Sequence, residues 1–158
     1  KRLRRDFKYR VIKERDLHAV DQRVFQKKRF RNKYLHGYWQ HTGYFEPYLK
    51  EITDMMTPAY GQSELVKKLC AEFQTTDTCA VHVRGGDIIE RKMTYISELG
   101  AFSDIDEFFL MAACRHQIIS NSSYSTWAAY LNPNPEKVVI MPEYKGCEQI
   151  RLKEWIVL

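Results

Sequence analysis

The stretch Thr78-Cys79-Ala80-Val81-His82-Val83-Arg84-Gly85-Gly86-Asp87 decides the fold, because an apolar run stops there and gives way to a histidine, an arginine, two glycines and a carboxylate. Thr78 to Val83 reads as a short buried strand, its β-branched residues set around Cys79 and Ala80. In open α/β sheets, binding groups gather at such strand ends. Arg84 offers a fixed fork of donors suited to phosphate oxygens. Gly85 and Gly86 lack a Cβ, so a ligand or another backbone can come close. Taken alone, the segment is also consistent with an ordinary strand-to-turn junction carrying a solvated Arg-Asp pair.

A second segment adds to the first. Gln117-Ile118-Ile119-Ser120-Asn121-Ser122-Ser123-Tyr124 passes from an apolar strand through a hydroxyl cluster into a helix bearing Trp127, Tyr130 and Leu131. Ser122 and Ser123 occupy N-cap positions, where helix N–H groups and the positive dipole end favour anions. Plain capping, worth about 1 kcal/mol, is the competing reading. Asn121, Ser122 and Ser123 on one side and His82, Arg84 and Gly86 on the other make a plausible diphosphate clamp.

Between these segments the pattern alternates. Leu65, Val66, Leu69, Cys70 and Phe73 repeat at helical spacing after Ser63; a second helix spans Ile105 to Arg115, with Ser103 and Asp106 spaced as a capping pair. The Ile118 strand, the Ser123 helix ending at Asn132-Pro133, and a strand from Val138 to Met141 follow. Helix and strand in alternation predict an α/β fold with a parallel sheet.

Three blocks resemble the α-1,2-fucosyltransferase family. HVRGGD is similar to that family's HxRxGD motif, residues Glu107 to Pro142 to its second long motif, and Tyr34 to Phe45 to the segment upstream of HxRxGD. Their order agrees as well. The resemblance implies transfer of L-fucose from GDP-fucose to a galactose hydroxyl of a glycan, with inversion and without an obligatory metal or cofactor. The implied fold is Rossmann-like, the chain supplying the donor-binding part of a two-domain glycosyltransferase. Residues 1–60 are then a basic flank and interdomain segment, and residues 61–158 an incomplete GDP-sugar-binding domain.

Departures from the family pattern matter too. Gly85 stands where a second arginine is common, and Thr126 where an aromatic is usual. A glycine-rich opening loop is not found, and the interval from Asp87 to Glu107 is shorter than the family uses for several βα units. Ala101-Phe102-Ser103-Asp104 faintly resembles an aspartate-bearing loop of that region. The expectation is a fragment, a naturally shortened relative or joined segments, which binds the donor weakly or not at all and does not turn over.

Arg84 would meet the charge that develops on the departing phosphate, with His82 as a second donor or as an orienter of Arg84. Asp87 is the motif carboxylate nominated as catalytic base, although capping the next turn or fixing Arg84 are equally open to it. Trp39 could stack on a sugar, with packing against its aromatic neighbours as the stronger reading.

Composition bounds the rest. Of 158 residues, 44% are hydrophobic, enough for one real core. Residues 1–33 hold 14 Lys or Arg against 4 Asp or Glu, a balance of +10; the remainder hold 11 against 16, a balance of −5, recovering the overall +5. A solvated basic face is the commoner outcome, and an anionic membrane surface is the candidate partner; nucleic acid is not expected. No signal peptide or membrane span is readable, which predicts a cytoplasmic protein, peripheral to the membrane if the basic segment binds it. Cys70, Cys79, Cys114 and Cys147 form no CxxC pair and read as reduced, buried thiols. His36 and His41 lack carboxylate companions at ligand spacing, so no metal site is expected.

Overall fold

A computed structural model describes residues 9–27, 32–56, 58, 61–83, 96 and 102–158. Two parallel sheets are present among them. The smaller pairs β1 (Tyr9–Lys13) with β2 (Asn32–His36), Ile12 opposite Leu35. The larger runs β3 (Cys79–Val81), β4 (His116–Ile118), β5 (Val139–Met141) and β6 (Ile156–Val157), in that spatial order and all parallel. The protein is α/β, as the alternation predicts.

Helices α1 (Leu49–Met55) and α2 (Glu64–Thr75) precede β3, while α3 (Asp104–Ala113), α4 (Ser123–Leu131) and the short α5 (Cys147–Ile150) fall between successive strands of the larger sheet. Ser63 caps α2, its hydroxyl accepting from Val66 N–H at 3.2 Å. Ser103 and Asp106 close a capping box on α3: Asp106 N–H donates to Ser103 Oγ at 3.2 Å, and Ser103 N–H to the Asp106 carboxylate at 3.1 Å. Asp104, Asp106 and Glu107 add negative charge at the positive helix end. Ser103→Ala should therefore cost about 1 kcal/mol, read as a lower urea midpoint with unchanged slope.

Alternation along the strands sorts the larger sheet into two faces. Gln117, Ile119, Val139 and Met141 are buried, and Ala128 and Ala129 of α4 are 0% exposed, their small side chains allowing the helix to lie close on the strands. Gln117 is the polar member of this layer. Its amide Nε2 donates to the carbonyls of Met111 (2.9 Å) and Ala128 (3.4 Å), and its Oε1 accepts from Asn132 Nδ2 at 3.2 Å, so β4 is tied to both α3 and α4 without an unsatisfied group. Lys137 Nζ donates to the carbonyls of Ala129 and Asn132, both at 2.9 Å, filling the acceptors that the end of α4 leaves over. Burial lowers the pKa of that amine.

The core cluster joins Ile119, Ala129, Tyr130, Val139, Met141, Cys147 and Trp155, with Phe45 and Leu49 packed against it. Tyr130 stacks on Trp155 with centroids 5.1 Å apart, and Phe45 meets Tyr130 and Trp127 at 5.7 and 5.3 Å. The opposite face presents one register row, Val81, Ile118, Ile140 and Ile156, of which the first, second and last are exposed.

Three expectations are corrected here. The strand read as buried from Thr78 to Val83 spans only Cys79–Val81, and Val81 is 54% exposed, because β3 is the edge of the described sheet and lies on its open face. Cys79, on the same strand, is likewise exposed, and Cys70, on α2, is half-buried, leaving Cys114 and Cys147 as the buried thiols; all four are free. The strands β1, β2 and β6 were not anticipated. Among the described residues no helix is long and apolar enough to cross a membrane.

Candidate functional site

Because β3 and β4 are parallel neighbours, the chain leaves both strands at the same end of the sheet. His82 N–H donates to Ile118 O at 2.9 Å, carrying the ladder one residue past Val81. Its imidazole then lies beside the loop after β4, with Nδ1 2.8 Å from Ser120 Oγ. Thus the two segments singled out in the sequence, 38 residues apart at this contact, meet through side chains.

Ser120 also shapes the entry into α4. Its carbonyl accepts from Ser122 N–H at 2.8 Å, and Ser125 Oγ reaches the same carbonyl at 3.4 Å. Ser122 is the N-cap residue, yet its side chain makes no capping hydrogen bond, so plain hydroxyl capping does not account for this serine. The Ser122 carbonyl accepts from both Thr126 N–H (3.0 Å) and Thr126 Oγ1 (2.9 Å). At a helix start the first N–H groups, here from Ser123 onward, have no acceptor within the helix. They supply the partial positive charge that an anion would meet. Asn121 and Ser123 are exposed and Ser122 half-buried.

Tyr124, in the first turn of α4, braces this corner. Its hydroxyl donates to the Asp104 carbonyl at 2.5 Å, and its ring lies 5.8 Å from the His82 ring and 5.2 Å, edge-on, from Phe108. Burial pushes the phenol up to about 12, which keeps it a donor across the neutral range. Beside it an apolar cleft of about 340 Å³ is lined by Met56, Pro58, Ile105, Phe108, Phe109 and Tyr124.

Of the sequence-derived site residues, His82, Asn121, Ser122 and Ser123 are thus at one end of the sheet. Arg84, Gly86 and Asp87 lie outside the described residues. Ser120 and Tyr124 were not singled out. A hydroxyl opposite a histidine across two parallel strands is the signal that could have marked Ser120, but it requires the register.

Trp39 lies elsewhere, on the turn after β2. The Glu14 carboxylate accepts the N–H groups of Tyr38 (2.7 Å) and Trp39 (3.0 Å), and Trp39 takes a positive φ of 53°. Its ring meets Tyr44 edge-on at 5.5 Å and its indole N–H is buried, which is the packing arrangement.

Comparison with known proteins places these elements. Residues 92–158 match glycosyl transferase family 11. A 41-residue stretch, 26% of the chain, is 49% identical to the O-antigen biosynthesis glycosyltransferase WbnK of Escherichia coli and spans 13% of that protein's length. No solved structure matches the chain. Ser120, the start of α4 and the core cluster from Ile119 to Trp155 all fall within the stretch similar to glycosyl transferase family 11, while His82 lies outside it.

Proposed function

We propose that the chain is the donor-binding part of an α-1,2-fucosyltransferase, which moves L-fucose from GDP-fucose to a galactose hydroxyl of a glycan. The observation that carries this reading is the meeting of His82 with Ser120 at the head of α4, where Ser120 and α4 lie within the stretch similar to a glycosyltransferase family. WbnK is named for O-antigen biosynthesis, which supports a glycan as acceptor.

Breaking the bond between fucose and diphosphate leaves negative charge on the β-phosphate, which fixed donors must meet in the absence of a metal. Arg84 supplies the cation. The N–H groups at the start of α4, with Asn121 and the hydroxyls of Ser122 and Ser123, supply neutral donors, and His82 adds one from the neighbouring strand. Gly86 allows the diphosphate to approach the backbone. Asp87 either takes the acceptor proton or fixes Arg84. The basic segment of residues 1–33 is assigned to an anionic membrane surface in the cytoplasm, and residues 1–60 to the flank between domains.

A second reading, a nucleotide-phosphate-binding relative without activity, is favoured by the short interval between Asp87 and Glu107 and by Gly85. Two measurements test the donor site and the expected inactivity. Calorimetry with GDP should show weak binding, and incubation with GDP-fucose and lactose should release no GDP, because orienting both substrates contributes on the order of 7–11 kcal/mol and requires a complete cleft. Robust transfer by the 158-residue chain would overturn the expectation of inactivity; failure to bind GDP would overturn the donor-site reading.

A further inference from the structure

We infer that the outward face of the small parallel sheet, Tyr9, Val11 and Tyr34 with Lys13 beside them, is the surface by which the chain docks on an anionic lipid bilayer. The inference rests on the assignment of the basic segment to a membrane surface made above, and it goes further by naming the side chains that enter the headgroup layer.

Strand alternation and register define this face. Residues 9, 11 and 13 of β1 stand beside 32, 34 and 36 of β2, so Tyr9, Val11, Lys13, Asn32, Tyr34 and His36 share one side of the sheet. All six are exposed, Tyr9, Val11 and Tyr34 by 57, 56 and 52%. The other side packs inward: Ile12 is 1% exposed, and Lys33 donates its amine to the Val24 carbonyl. Parallel sheets ordinarily have both faces covered. Here an aromatic and β-branched row, with Val11 directly opposite Tyr34, is left without cover among the described residues.

Charge selects the partner. The face holds Lys13 and no carboxylate. Nearby acids are engaged elsewhere: Glu14 takes the N–H groups of Tyr38 and Trp39, and Asp21 pairs with Arg23. Because β1 and β2 are parallel, both are entered from the same end, and both entering sequences are basic: residues 1–8 hold five Lys or Arg against one Asp, and residues 28–31 hold three against none. Those stretches lie outside the described residues, and covalent continuity alone ties their charge to that end of the face. A second copy is disfavoured, since the face has a cation and no carboxylate to meet it. Single-stranded nucleic acid would match the cations and the tyrosines, but Val11, neighbour of both rings, offers no stacking plane. All three side chains suit the boundary between headgroups and acyl chains, where tyrosine is enriched.

Sedimentation of the 158-residue chain with phosphatidylcholine vesicles, with and without phosphatidylglycerol, tests this. Wild type should sediment with the anionic vesicles, leave the neutral ones in place, and be released by high salt. A variant combining Tyr9→Thr, Val11→Thr and Tyr34→Thr, in which threonine keeps strand propensity, should bind the anionic vesicles at least about tenfold more weakly, and Lys13→Gln roughly fivefold, with circular dichroism unchanged. Should the triple variant misfold, Val11→Thr and Tyr34→Thr taken singly decide the question, each weakening binding roughly threefold. Tyr48→Thr, at a ring 59% exposed on a different element, is the control and should bind as wild type does. Full binding by the threonine variants would overturn the inference and leave the basic segment as the membrane contact. Failure of the wild type to bind anionic vesicles would overturn both. Tighter binding to an oligothymidine strand than to vesicles would also overturn it, assigning the face to nucleic acid. GDP titrations of these variants should match wild type, so the donor-site reading stands or falls separately.

Discussion

Trp155→Ala is expected to destabilise the protein by about 3–5 kcal/mol, close to the whole stability of a small domain at the lower end of its usual range. The indole is 3% exposed and stacks on Tyr130 at 5.1 Å, and Tyr130 in turn meets Phe45 and Trp127 and donates its hydroxyl to the Ile150 carbonyl. Removing the ring leaves a cavity bordered by an aromatic that loses its stacking partner. Collapse is hindered because β6 follows at once, with Ile156 paired to Ile140. Urea unfolding followed by circular dichroism measures the loss. Tyr38→Ala, at a ring 77% exposed, is the control and should stay within about 0.5 kcal/mol of wild type. A loss below about 1 kcal/mol at Trp155 would mean that this end of the core is not a structural centre.

The second large effect concerns the donor. Arg84→Ala should weaken GDP binding at least about tenfold with melting unchanged, since hydrogen bonds to a charged group contribute about 1.5–3 kcal/mol each. Arg84→Lys should recover part of the affinity, because an ammonium keeps the charge but not the planar fork. Nuclear magnetic resonance titration reaches the weak affinities expected here. Unchanged GDP affinity in a folded Arg84→Ala protein would remove Arg84 from the site and leave the helix start and His82 to hold the anion.

How much of this was readable in the sequence depends on how local each feature is. The helices α2, α3 and α4 were legible because their signals sit within a few residues: the Leu65-Val66-Leu69 spacing, the Ser103–Asp106 box and the serines ahead of Tyr124. Strand β6 escaped notice because two residues carry no period. Strands β1 and β2 escaped because most of their residues are exposed and mix charged, aromatic and aliphatic types, Val11 and Leu35 included, with Ile12 as the buried residue of β1. The exposure of Val81 and Cys79 follows from the place of β3 at a sheet edge, which is a matter of topology and not of composition. The same limit hid Ser120, whose contact with His82 appears only once β3 and β4 are set in register. Conversely, the pairing of a strand-end histidine segment with a serine-rich helix start was anticipated from residue types alone, since both are chemistries of anion recognition.

The neighbouring placement of β3 and β4 has a bearing on how such a chain can change over generations. The contact between His82 and Ser120 is dictated by ladder register, Val81 opposite Ile118, and not by the length of chain from Val83 to Ser103. Closing a longer excursion there costs little, about 0.6 kcal/mol for each doubling. Whole strand–helix units can therefore be gained or lost between those residues during descent without separating the pair, so length at this point and the contact between His82 and Ser120 are free to vary independently.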